Sequence, residues 1–181
     1  MQRRIFAFGG AAVLLAACGA RLQPRQLGAD GLPLPSVYDM PDDATVQFRA
    51  LDSVNALRQA AGAPALTFSS ELNAAAATHS RDMSLQNRPW HFGSDGSSPI
   101  DRARRAGYAG TVLGENISET YETEIETLTA WMAQPATRDV ITDPTARDLG
   151  FAWYQEPTGK IWWTLMVGDG GTSGPINVPR G

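Results

Sequence analysis

The sequence predicts an α+β fold in which helices flank a central antiparallel sheet. Apolar residues recur at helical spacing through much of the chain from residue 43 to residue 134, and the period changes to that of strands between residues 149 and 167. Glu-Pro-Thr-Gly at positions 156–159 forms a suitable turn between the last two strands. Because helices come first and a hairpin comes last, the order favours an antiparallel sheet over a doubly wound parallel sheet.

The first two helices are predicted from their apolar stripes and their end signals. The first covers residues 43–61 and stops at Gly62, and the second begins at a Ser69 or Ser70 cap. The apolar stripe of the second helix includes His79. We therefore expect His79 to be a buried imidazole that hydrogen-bonds to the backbone.

The remaining elements are shorter. A third helix fits residues 100–106 and a fourth fits residues 122–134, where Pro135 ends the helix or opens a further turn. Strands are predicted at residues 112–118, 149–155 and 160–167. Alternation along the last strand sends Trp162 and Trp163 to opposite faces of the sheet, so we expect one in the core and treat the other as a candidate for exposure.

The N-terminal segment has the pattern of an export signal. Arg3 and Arg4 precede an apolar run over residues 5–15, which is too short to span a bilayer, and Leu-Ala-Ala-Cys at positions 15–18 closes the run. This pattern resembles a bacterial lipoprotein signal peptide, which implies cleavage before Cys18 and lipidation of its thiol. Cys18 is the single cysteine of the chain, so it has no internal disulfide partner.

These features divide the chain into a signal peptide (1–17), a Pro/Gly-rich tether (18–42), one globular domain (43–168) and a flexible Gly/Pro-rich tail (169–181). The expected product is an exported protein that is lipid-anchored in the bacterial envelope through Cys18. Gly19, in place of an aspartate, resembles the pattern that accompanies sorting to the outer membrane, where the domain would face the periplasm or the outside.

The charge balance argues against a nucleic-acid partner. Without residues 1–17, the chain keeps 13 of its 15 basic residues and all 19 acidic residues, which gives a net charge of −6. Arg102, Arg104 and Arg105 form a short basic cluster, which we interpret as a solvated helix face. Recognition of a phosphate backbone needs a longer basic stripe.

Several short segments occur in an order and spacing that carry a family resemblance: residues 51–58, 79–83, 91, 95–99, 102–108, 114–117 and 130–132. Between residues 44 and 168 the chain resembles the CAP superfamily of cysteine-rich secretory, antigen 5 and pathogenesis-related proteins. The resemblance implies the CAP α/β/α sandwich, which agrees with the helix and hairpin pattern above.

The resemblance also implies a central cleft with two histidines and two acidic residues, which in some members holds a divalent metal. His91 matches one histidine and Glu115 matches one acidic residue, whereas Gln134 and Thr137 stand at the other two positions. A zinc site needs at least three protein ligands. We therefore expect no cofactor. Zinc remains the candidate metal, with His91 and Glu115 as its candidate ligands. Two roles remain open for Glu115, a contact in the cleft and a pairing with His91 that fixes a loop.

The resemblance favours a membrane-tethered domain that binds a small ligand, a lipid, a glycan or an envelope protein at this cleft. The alternative is a peptidase-like hydrolase in which His91 and Glu115 form the acid/base pair. Ser94, Ser97 and Ser98 lie close to His91 in the sequence, but their types and spacing are typical of turn and helix-cap residues. Catalysis is therefore the minority hypothesis.

Overall fold

A computed structural model describes residues 38–171 of the chain. They form five helices and four strands, in the order α1 (Asp43–Ala60), β1 (Thr67–Phe68), α2 (Ser70–Gln86), α3 (Pro99–Arg105), β2 (Val112–Ser118), α4 (Glu124–Ala133), α5 (Pro135–Thr142), β3 (Asp148–Gln155) and β4 (Ile161–Gly168). The predicted signal peptide, Cys18, the tether up to residue 37 and the tail from residue 172 lie outside the described residues. Among the helices of residues 38–171, none combines the length and the apolar character that a membrane span requires.

The helix boundaries follow the capping signals of the sequence. Asp42 caps α1 and Ser69 caps α2, and each side chain accepts a hydrogen bond from a backbone N–H in the first turn. Ser98 and Asp101 form a reciprocal capping box at the start of α3, where Pro99 occupies the first turn. Pro135 opens a separate helix, α5, instead of only ending α4.

The four strands form one sheet in the order β1-β3-β4-β2. β3, β4 and β2 are antiparallel, as the sequence predicts. The sheet is mixed, because at one edge β1, a strand that the sequence analysis does not predict, pairs with β3 in the parallel direction. A strand of two residues is too short to show an apolar period, so the sequence pattern did not reveal it.

Helices cover both faces of the sheet. One core lies between the sheet and the helices α1, α4 and α5, and it includes Val54, Trp131 and Trp163. The other core lies under α2 and α3 and includes Leu72 and Met166. Because neither face of the sheet meets water, Trp162 and Trp163 are both fully buried, and the expected candidate for exposure does not exist on this strand.

The packing of α2 on the sheet depends on a glycine in β3. A Cβ atom at Gly150 would clash with the backbone carbon of Leu72. Such an approach is below any allowed contact, so the helix backbone can lie this close only over a residue without a side chain. This contact fixes the position of α2, and therefore of His79, above the sheet.

The packed domain extends beyond the predicted limits of 43–168. Tyr38 and Met40, which fall in the predicted tether, contact the core under α1, and Gln155 Nε2 donates a hydrogen bond of 2.7 Å to Tyr38 O. At the other end, the Asp169 N–H donates to Thr111 O. The chain therefore enters the domain beside the β3–β4 hairpin.

Candidate functional site

Glu115 of strand β2 is the centre of the candidate site. Its side chain is only 2% exposed, and both carboxylate oxygens are engaged. Oε2 accepts a hydrogen bond of 2.6 Å from Arg102 Nη2, and Oε1 accepts one of 2.9 Å from His91 Nδ1. A buried carboxylate needs a countercharge and hydrogen bonds of this kind to remain in the interior.

Arg102 of helix α3 connects Glu115 to the loop that carries His91. Its Nη1 atom donates hydrogen bonds of 3.0 Å to His91 O and to Ser97 O. The guanidinium is buried, so the interpretation of Arg102 as part of a solvated helix face is wrong. Arg102 lies four residues before Ala106, so both residues are on the side of α3 that packs against the domain. This helical spacing was the signal in the sequence that could have predicted the burial of Arg102.

His79 lies beneath the same carboxylate. It is fully buried on α2, and its Nε2–H donates a hydrogen bond of 3.0 Å to Trp90 O, which confirms the sequence expectation. The same nitrogen lies 3.7 Å from Glu115 Oε1. Burial lowers the pKa of His79, because desolvation of the imidazolium outweighs the opposite effect of the Glu115 charge.

His91 is the exposed member of the cluster, with 51% of its side chain accessible. Because a carboxylate only accepts hydrogen bonds, the Nδ1 atom of His91 carries the proton that points to Glu115. Its Nε2 atom then presents a lone pair when the ring is neutral, and within residues 38–171 no group bonds to it. His91 lines a recess of about 290 Å³, together with Glu115, Leu113 and Ile100.

Gln134 and Thr137 do not join this cluster. They line a different recess of about 370 Å³, beside Trp131 and Ile117. The Thr137 hydroxyl donates a hydrogen bond of 2.6 Å to Trp131 O, so it acts as a cap between α4 and α5. The structure therefore brings together His91 and Glu115, and places the other two predicted positions in a neighbouring depression.

The residues present do not fit the zinc site that the resemblance implies for some members. Each oxygen of Glu115 already accepts a hydrogen bond, Oε2 from Arg102 and Oε1 from His91, so a metal ion would compete with the Arg102 guanidinium for this carboxylate. His79 is buried and donates to the backbone, and Thr137, at the position where the resemblance implies a second histidine, offers no imidazole. Within residues 38–171, no group of three or more His, Cys, Asp or Glu residues lies close enough together to hold a metal ion.

The serines near His91 have structural partners. The Ser94 hydroxyl donates to Asp82 at 2.6 Å, and the Ser98 hydroxyl donates to Asp101 at 2.6 Å. The Ser97 N–H donates to Asp95 within the turn. These contacts agree with the predicted turn and capping roles, and within residues 38–171 no serine hydroxyl is hydrogen-bonded to His91.

The described residues therefore form a mixed sheet covered by helices, with a buried carboxylate on its edge strand that an arginine and a histidine hold. The sequence profile of the CAP family, described as the cysteine-rich secretory protein family, matches residues 51–167. The chain belongs to this family.

Similar proteins are found in several bacteria. Protein YkwD of Bacillus subtilis (strain 168) is 28% identical over 120 residues, which are 66% of this chain and 46% of YkwD. The chain thus matches less than half the length of that relative. An outer surface protein from Borrelia burgdorferi has a similar structure, with a TM-score of 0.65 at 12% identity, over 71% of this chain and 95% of that protein.

An extracellular protein containing an SCP domain, from Bacillus anthracis, has a similar structure, with a TM-score of 0.62 at 19% identity. The match covers 72% of this chain and 44% of that protein. At these identities the two structures establish the fold and leave the ligand of this chain to be argued from its own residues.

Proposed function

We propose that this chain is an exported, lipid-anchored envelope protein whose CAP domain binds a ligand at the recess beside His91, and that it does so without catalysis or a metal. Export and anchoring draw support from the N-terminal sequence pattern that ends at Cys18. They also agree with the extracellular and outer-surface proteins among the structural neighbours. The outer membrane is the proposed destination.

The observation that carries the binding role is the full engagement of Glu115. One oxygen pairs with Arg102 and the other accepts from His91 Nδ1, so this carboxylate orients the His91 ring. The fixed ring presents Nε2 as a hydrogen-bond acceptor beside the apolar side chains of Ile100 and Leu113. Such a recess suits a ligand with a hydroxyl or amide donor next to an apolar group.

A three-probe titration tests binding at the recess. Nuclear magnetic resonance of the domain with labelled histidines would follow His91 while a short-chain phosphatidylglycerol, an N-acetylglucosamine disaccharide and a hydrophobic tripeptide are added separately. We expect one probe to shift the His91 signal, and His91→Ala and Ile100→Ser to weaken that probe's binding about tenfold. Phe48→Ser, which changes an exposed apolar residue on α1, is the matched control.

The same samples test the hydrolase alternative. If a probe is cleaved over hours and His91→Ala abolishes the cleavage, the catalytic hypothesis replaces the binding proposal. If none of the three probes shifts His91, the proposed recess is not a binding site for these ligand classes and the proposal fails.

Zinc titration by calorimetry tests the absence of a metal role. We expect no binding in the micromolar range to the native domain or to Thr137→His, because Glu115 remains held by Arg102 in both. Binding that His91→Ala abolishes would contradict the proposal. Anchoring is tested separately, by mass spectrometry of the N-terminal peptide and by membrane fractionation of the full chain beside Cys18→Ser.

A further inference from the structure

Three large apolar side chains protrude from the domain near the end of α2. Leu85 is 78% exposed, Phe92 is 48% exposed and Trp90 is 38% exposed. The rings of Trp90 and Phe92 are in edge contact, with centroids 5.5 Å apart, and the Arg88 guanidinium lies 3.7 Å from the centre of the Trp90 ring. We call Leu85, Arg88, Trp90 and Phe92 the aromatic patch.

The backbone of the aromatic patch is fixed to the domain, so its side chains are held outward. Asn87 ends α2 in the left-handed conformation with a φ of 47°, and the Arg88 N–H donates to Met83 O. Trp90 O accepts from the buried His79 ring, and Phe92 O accepts from Gln86 Nε2 at 3.2 Å. Exposed aromatic rings on an anchored loop lose little conformational freedom when they enter an apolar phase.

The aromatic patch lies near the end of the domain at which the chain arrives from its N-terminal segment. Tyr38 O is held by Gln155 at the end of β3. The next residue, Glu156, accepts a hydrogen bond of 2.7 Å from Ser84 Oγ, one residue before Leu85. Nineteen residues (19–37) lie between Tyr38 and Cys18, the position of the proposed lipid, so a fully extended chain would reach at most about 70 Å.

We propose that the aromatic patch is a membrane-docking surface that inserts into the headgroup region of a phospholipid bilayer, an inference that rests on the proposed anchoring at Cys18. Indole and phenyl rings favour the boundary between headgroups and acyl chains, where a ring is buried and a polar edge stays hydrated. Arg88, stacked on Trp90, is placed to pair with a lipid phosphate as the indole inserts. Docking would fix which face of the domain looks away from the membrane.

Depth-dependent quenching of tryptophan fluorescence tests this docking. The chain from residue 18 to residue 181, with Cys18→Ser and a hexahistidine segment in place of residues 1–17, is bound to vesicles through a nickel-chelating lipid. The vesicles contain phosphatidylcholine and phosphatidylglycerol in a roughly three-to-one ratio, which supplies anionic phosphate. One set carries brominated acyl chains, which quench an inserted indole, and the other set is unbrominated.

We expect brominated lipid to quench the native chain at least about threefold more than Trp90→Phe, because three of the other four tryptophans are buried and Trp153 is partly buried against the core. The pair Leu85→Ser and Phe92→Ser should remove most of the quenching, and Arg88→Glu should reduce it on these anionic vesicles. Phe48→Ser, which changes a residue that is 66% exposed outside the patch, should leave it unchanged.

Equal quenching of the native chain and Trp90→Phe would overturn the docking proposal and leave the patch as a surface for a protein partner. Loss of quenching in Phe48→Ser to the same extent as in the patch variants would also overturn it. The artificial anchor keeps this test separate from lipidation, so failure of lipid attachment at Cys18 is visible only in the mass of the N-terminal peptide.

Discussion

Replacement of Arg102 by methionine should strongly destabilise the domain. Arg102 and Glu115 are both almost fully buried and are joined by a hydrogen bond of 2.6 Å. Among the described residues, Arg102→Met would leave His91 Nδ1 as the remaining hydrogen-bond donor to the carboxylate, with the His79 ring 3.7 Å away. Removal of one member of a buried ion pair typically costs about 3–5 kcal/mol in the free energy of unfolding. We expect a loss in this range.

A double-mutant cycle separates the pairing from simple loss of volume. Glu115→Gln should cost less than Arg102→Met, because the guanidinium keeps its bonds to two backbone carbonyls. The double variant, Arg102→Met with Glu115→Gln, buries no uncompensated carboxylate. Its loss in free energy of unfolding should therefore be smaller than the sum of the two single losses by about 2–3 kcal/mol. Urea unfolding followed by tryptophan fluorescence and circular dichroism measures all four free energies, provided that the slope with urea is unchanged.

Arg105→Met is the control for the cycle, since it removes an arginine from the same helix whose ion pair with Asp95 is exposed. We expect little change in stability from this variant. If the sum of the two single costs equals the cost of the double variant to within about 0.5 kcal/mol, Arg102 does not compensate the charge of Glu115. That result would refute the description of Glu115 as a carboxylate stabilised by Arg102.

Three further predictions concern buried residues of the domain. Burial lowers the pKa of His79, so below pH 7 this imidazole becomes protonated in the unfolded chain but stays neutral in the folded domain. The free energy of unfolding should therefore fall from pH 7 to pH 5.5, by at most about 1.4 kcal/mol per pH unit. Urea unfolding at several pH values should show no such fall for His79→Gln and an unchanged fall for His91→Gln. The opposite result would disprove the assignment of the pH dependence to His79. Gly150→Ala should lower the free energy of unfolding by about 3 kcal/mol, because the new Cβ atom meets the backbone of α2. Gly114→Ala is the control and should cost less, because its Cβ atom meets only the side chain of Val140. Equal thermal midpoints for the two variants would contradict the close approach of α2 to Gly150. Arg58→Met should cost about 3 kcal/mol or more in urea unfolding, since it removes the donor for four backbone carbonyls, and an unchanged midpoint would show that those bonds contribute nothing.

Local signals were sufficient for most of the secondary structure. Ser69 and Ser98 cap the helices that their positions indicate, and the last two strands pair through a turn at residues 156–159. These signals act within a few residues of chain, so they can be read without knowledge of the fold. The parallel strand Thr67–Phe68 escaped prediction because its partner is distant in sequence and its own pattern is only two residues long.

The site was only partly predictable, because its members come from separate elements. His91 and Glu115 were identified through the family resemblance, and the structure shows them in contact. Arg102 was predicted to lie on a solvated helix face, because an arginine in a basic cluster is usually exposed. The sequence alone does not show that Glu115 is buried and pairs with it. Gln134 and Thr137 were expected in the same cleft, but the turn between α4 and α5 directs them into another recess.

Reading along the chain is enough to predict the α+β class, the family, the ends of most helices and the position of the hairpin, because these depend on local spacing and on side-chain chemistry near each residue. The tertiary structure decided which polar groups share the interior. A buried carboxylate is stable only where a distant cation reaches it, and that meeting of Glu115 with Arg102 results from the packing of α3 against β2. It also decided that both faces of the sheet are covered, which buried Trp162 together with Trp163.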